Sequence, residues 1–165
     1  MPACGDVASR RDGAGDSAAH IGATASATPA QGTPATDGGC PKEGDWAICS
    51  VEDRLLHAGL VVERREEPVR HDFLSVPGAA YQVGGRDDEV QVFIYPSTAE
   101  RTRDTDALDS ATASPKGRRV VWGAPPTLVT SNNLAAIIIS LNDRTVERLA
   151  LALGAGLPQP EGKKE

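Results

Sequence analysis

Ala79-Ala-Tyr-Gln-Val83 and Glu89-Val-Gln-Val-Phe-Ile-Tyr95 flank the polar stretch Gly84-Gly-Arg-Asp-Asp88. Both runs carry apolar side chains suited to a pleated surface, and paired glycines followed by acids suit a chain reversal, so the segment predicts a β-hairpin. Side chains alternate across a strand, which puts Val90, Val92 and Ile94 on one face and Gln91, Phe93 and Tyr95 on the other. The expected result is a sheet with one well-buried face and one partly covered face.

Downstream, Pro96 ends the second strand, and Ser97-Thr-Ala-Glu100 is a capping box that predicts a helix running to about Asp109. Its apolar stripe is limited to Ala99, Ala107 and Leu108, so it belongs on the surface. After a loop over Ala111 to Gly117, three strands are expected: Arg119 to Trp122, Thr127 to Thr130, and Leu134 to Leu141. The unbroken apolar run Leu134 to Ile139 reads as the central strand. Asn142 is placed to cap a last helix in which Val146, Leu149, Ala150 and Leu153 recur at helical spacing, with Gly154 as its stop. Upstream, Ser50 is placed to cap a helix over Val51 to Ala58. Gly59 is its left-handed terminator, and Leu60 can fold back onto Leu55. A strand over Leu60 to Arg64 and a loop over Arg65 to Pro77 follow, with Phe73 and Leu74 reaching the core. The order predicts an α+β domain: a mostly antiparallel sheet of about five to six strands with about three helices packed on one face.

All six aromatic residues lie after Gly39, and Gly5 to Gly39 contains only Val7 and Ile21 as large aliphatics. Such a segment cannot bury enough apolar surface to offset the entropy of ordering it. Residues 1–39 therefore read as a disordered Ala/Gly/Ser/Thr/Pro-rich tether, 40–157 as one domain, and 158–165 as a flexible tail. The formal net charge of −6 is spread without a basic stripe interleaved with aromatics, which argues against nucleic acid. The longest apolar run is far below the roughly 20 residues of a transmembrane helix.

Ala3-Cys4 resembles the end of a lipoprotein signal, in which the cysteine becomes the acylated N-terminus. A cysteine, a low-complexity leash and then a folded domain is the layout of a domain held off a membrane. On that reading the leader lies upstream of Met1 or has been removed. The alternative is a leaderless cytoplasmic protein. Cys40 and Cys49 bracket a Pro/Gly/Trp loop where tether meets domain, and a disulfide there would close a short loop in an oxidising compartment. Two free thiols remain the other reading, since Cys-x8-Cys-x7-His with His57 fits no usual zinc spacing.

Val92-Phe-Ile-Tyr-Pro96 entering a helix, Trp122-Gly-Ala-Pro-Pro126, Asn133-Leu-Ala-Ala-Ile-Ile138 and a closing Leu153-Gly154 together resemble small uncharacterised bacterial envelope lipoproteins. In that group a similar strand, Trp/Pro and Asn-Leu progression follows a cysteine and a tether. The resemblance implies an extracytoplasmic, lipid-anchored domain and brings no catalytic residue with it.

For chemistry the chain offers little. His20 lies in the tether, and His57 is expected in the last helical turn, where a cation suits the helix dipole. His71, Asp72 and Ser75 lie close in sequence but lack a nucleophile elbow. Asp104, Asp106 and Asp109 fail the calcium-loop pattern, because Leu108 stands where an oxygen is needed and the glycine is missing. Asp87-Asp88-Glu89 reads as a solvated hairpin tip. No metal, cofactor or catalytic residue is expected. The function expected is that of a non-enzymatic envelope domain binding a protein or cell-wall partner. The alternative is a small-molecule or peptide binding module using an aromatic face formed by Trp122, Tyr81, Phe93 and Tyr95.

Overall fold

The computed structural model describes residues 39–84 and 87–159. Cys4, the tether apart from Gly39, residues 85 and 86 of the hairpin turn, and 160–165 of the C-terminal tail lie outside the described residues.

The chain is α+β. In order it forms α1 (Ile48–His57), β1 (Val62–Arg64), β2 (Gly78–Val83), β3 (Asp88–Ile94), α2 (Thr98–Thr105), β4 (Leu108–Asp109), β5 (Ser114–Pro115), β6 (Pro126–Ser131), β7 (Leu134–Ile139) and α3 (Asp143–Gly154). Five strands make one sheet in the order β1-β2-β3-β7-β6, every neighbouring pair antiparallel, and β4–β5 is a separate two-stranded ribbon. The hairpin read from the sequence is β2–β3, paired Gly78 to Phe93 through Val83 to Asp88. The middle strand is therefore β3, and the expected central strand Leu134–Ile139 stands one place from the edge, between β3 and β6. It is apolar throughout because both of its faces are covered, and two-sided burial does not require the middle position.

The hairpin parity sorts the core into two clusters. Tyr81, Val90, Val92, Ala136 and Ile138 pack with Val51 and Leu55 of α1 and Leu149, Ala152 and Leu153 of α3. Phe93, Tyr95, Ala135, Ile137 and Ile139 pack on the other side with Leu74, Leu108, Ala113 and, partly buried, Phe73 and Trp122. Only two helices therefore lie on the first face. The third, α2, belongs to the second face, where Asp104 accepts hydrogen bonds from the Ser75 amide and hydroxyl, both at 2.7 Å.

Local chemistry sets the helix ends. Ser97 caps α2 by accepting from the Glu100 amide, and Asn142 caps α3 by accepting from Arg144 and Thr145. At the end of α1, Gly59 is left-handed (φ 67°), with Gly59 N–H bonded to Leu56 O and Leu60 N–H to Leu55 O. Arg148 of α3 donates to the carbonyls of Ala58 and Gly59, adding a cation at that terminus. Three boundaries differ from the expectation. α1 begins at Ile48 with Ala47 as an N-cap that makes no side-chain cap bond, and the Ser50 hydroxyl inside the helix donates to Pro41 O. α2 stops at Thr105, because Leu108 reaches the core by pairing with Pro115 rather than by extending a helix. α3 ends at Gly154, but the left-handed residue after it is Gly156 (φ 73°).

Cys40 and Cys49 form a disulfide, Cα to Cα 5.6 Å, which fastens the segment before α1 to its first turn. Closing a loop this short stabilises by about 2 kcal/mol. Beyond it, the chain is held by Asn133, buried in the turn between β6 and β7. Its Oδ1 accepts from Trp46 N–H (2.6 Å), and its Nδ2 donates to Trp46 O (3.1 Å) and Tyr95 O (2.9 Å). All of its side-chain bonds go to main chain, so the side chain substitutes for a missing strand partner at that point. Nearby, Gly44 N–H bonds to Pro158 O at 2.7 Å, which joins the two ends of the domain. Among the described residues no helix is long and apolar enough to cross a membrane.

Candidate functional site

The residues Arg119 to Trp122, expected as a strand, pair with none. They form a strap crossing the second face, and Trp122 Nε1–H pins it by donating to Thr112 O (2.9 Å) in the β4–β5 turn. That turn is itself shaped by Asp109, whose carboxylate accepts from the amides of Ala111 and Thr112. Ala113 follows with φ 45°. Val121 on the strap is 91 % exposed.

A cleft lies on each side of the strap, and the two share Val120, Val121, Trp122 and Ala124 as a common wall. The first, about 860 Å³, runs beneath the β4–β5 ribbon and is rimmed by Lys116, Arg118 and Arg119. The second, about 720 Å³, is lined by His71, Asp87, Asp88 and Glu89, with Leu141 (81 % exposed) at its mouth. One groove is therefore basic, the other acidic, and an apolar ridge separates them.

The charges differ in how they are held. Arg118 forms a two-pronged pair with Asp72 (2.8 and 2.5 Å) while lying over the Phe73 ring, and Lys116 donates to Asp106 O. The Arg118 contact lowers the Asp72 carboxyl from its ordinary value and raises the Arg118 guanidinium. Arg119 has no partner among the described residues. In the acidic groove Arg65 pairs with Glu89 at 3.0 Å, Gln91 Nε2 donates to Glu89 (2.7 Å), and Gln91 Oε1 lies 2.7 Å from His71 Nε2. A carboxylate can only accept, so Gln91 must present its amide nitrogen to Glu89 and its oxygen to the histidine, and His71 carries its proton on Nε2. The imidazole is stacked on Phe73, tilted against Phe93 and edge-on to Trp122 at 5.3 Å.

Several sequence-level candidates are redistributed. The four aromatics expected to share a face do not. Tyr81 pairs with Val90 and so points to the helix side, where its hydroxyl donates to Glu52 of α1 (2.9 Å), while Phe93, Tyr95 and Trp122 belong to the opposite side. Burial, with Glu52 beside it, raises the Tyr81 phenol. Tyr81, Phe93 and Tyr95 are all within 1 % of full burial, so of the four only Trp122 reaches a cleft wall. The Tyr95 hydroxyl is buried near Asp104 but outside hydrogen-bonding geometry with any described group, and burial together with the Asp104 charge raises it. His71, Asp72 and Ser75 bond to Gln91, Arg118 and Asp104 respectively, and so do not act on one another. His57 is the exposed last residue of α1, as the sequence indicates. Asp88 departs from the solvated tip: it opens β3, is largely buried, and accepts from Ser140 Oγ at 2.6 Å.

No family model matches the chain, and neither a curated protein nor a solved structure does.

Proposed function

We propose that this chain is a non-enzymatic envelope domain, lipid-anchored through Cys4, that binds a protein or cell-wall partner through the Trp122 strap. The observation that carries the reading is the strap itself: an apolar ridge with Val121 almost fully exposed, set between grooves of opposite charge. Mixed polar rims around an apolar centre are the anatomy of a recognition surface. The Cys40–Cys49 disulfide supports an oxidising compartment, and the tether composition together with Ala3-Cys4 supports the anchor. A second reading, a small-molecule or peptide site in the basic groove, is favoured by its volume of about 860 Å³, which falls in the range of ligand clefts.

The test is site-specific photocrosslinking in the native host. A photoreactive side chain at Val121 gives a discrete adduct that disappears when Arg119→Glu and Trp122→Ala are added, while the same group at Leu56, exposed on α1, gives none. Matching adducts from both positions, or none from position 121, would end the strap assignment. Mass spectrometry of the same material shows a diacylated or triacylated Cys4, and an unmodified Cys4 would remove the anchor.

A further inference from the structure

Among the described residues, the outer edge of β6 is an open hydrogen-bonding row. Ser131 and Leu134 close a two-residue turn with Asn132 at φ 47°, and residues flanking such a turn exchange their backbone bonds. With the unbroken register, Thr127, Val129 and Ser131 therefore direct their backbone groups at β7. The carbonyls of Pro126, Leu128 and Thr130 and the amides of Leu128 and Thr130 point away from the sheet. Among the described residues nothing bonds to these outward groups. The row is uncharged across Pro126-Thr-Leu-Val-Thr-Ser131, in a chain of net charge −6. Natural edges are ordinarily blunted by lysine, proline, bulges or shortness; β6 carries a proline at its first residue, Pro126, and leaves the five residues after it unblunted.

We propose that β6 pairs with β6 of a second copy of this chain, joining two five-stranded sheets into one of ten. A two-fold axis normal to the sheet is the arrangement that keeps each face continuous, and it requires directly opposed residues to share a face. Centring it on Val129 sets Leu128 against Thr130 of the second copy and Thr127 against Ser131. That register satisfies all four outward amides and opposes no charge to a like charge. α3 packs across β6 and β7, and with strands about 5 Å apart the two α3 helices would run side by side about 10 Å apart, a normal helix-packing distance. The short strand contact makes the dimer a weak one, assembling in the micromolar range.

Sedimentation equilibrium of the full-length Cys4→Ser chain, which excludes intermolecular disulfides, tests this. From about 1 µM to about 1 mM the mass should rise from 17.2 kDa toward twice that value. Exchange of the Leu128 and Thr130 amides should slow over the same range. Thr130→Pro removes an outward donor without touching the β7 ladder, and Thr130→Glu places a charge in the seam. Both variants should stay at 17.2 kDa with unchanged circular dichroism. A single-chain mass for the parent throughout, or a dimer that persists in whichever variant folds, overturns the pairing.

Discussion

The two faces of the sheet are covered by different means. On one, α1 and α3 lay regular apolar stripes over Tyr81, Val90, Val92 and Ile138. On the other, α2, the β4–β5 ribbon, the loop around Phe73 and Leu74, and the Trp122 strap make the cover from irregular pieces. Beside the periodic cover, at α1, lies a cleft of about 290 Å³, whereas the cover made of loops leaves the clefts of about 860 and 720 Å³ beside the strap. On the proposed function, stability and recognition fall to opposite sides of one sheet, the usual division between scaffold and loops.

The largest effect expected lies on the helical side. Leu149→Ala should cost about 3 kcal/mol and lower the unfolding midpoint of the whole domain in denaturant titration. A loss confined to α3, with the sheet still protected, would break the contrast. Next is Gly78→Ala, since a Cβ there would lie 2.5 Å from Cε1 of Phe93, the residue opposite it. Overpacking at this point should cost about 2 kcal/mol and would show that the irregular face is tight wherever it meets the sheet.

A smaller effect concerns acid. Burial pushes the Asp104 carboxyl up, but the Ser75 amide and hydroxyl, with the neighbouring Tyr95 hydroxyl and the Arg103 charge, together outweigh it, and the group sits below the ordinary aspartate value. A depressed folded value means that the clamp is fully present above the ordinary carboxylate range and is lost as pH falls through the lowered value. Exchange at the Ser75 amide should therefore accelerate below about pH 4 while α1 and α3 stay protected, and Asp104→Asn should abolish the transition. Simultaneous opening of both faces would refute the division. The smallest structural effect is expected from Trp122→Ala, about 1 kcal/mol in stability, with photocrosslinking at position 121 lost.

How much could be read in advance follows the same line. The β2–β3 hairpin and α3 were legible because each repeats its apolar residues with the period of its element, and the α2 cap because Ser97 and Glu100 stand three apart. The second face hid its design. Val120 and Val121 look like strand residues, but no neighbouring edge accepts them, and Trp122 holds them as a strap through one bond to Thr112 O. The start of α1 was missed because Ala47 carries no capping group. The Arg65–Glu89–Gln91–His71 chain joins residues up to 26 positions apart, and only the β3 parity could have hinted at it, through Glu89 and Gln91 sharing a face.

Asn133 has a mechanical consequence. Because Trp46 lies inside the loop that the disulfide closes and Asn133 grips both its amide and its carbonyl, a force drawing on the chain ahead of Cys40 is shared between the first turn of α1, through the disulfide, and the β6–β7 turn, through Trp46. Such a load does not peel α1 off one residue at a time.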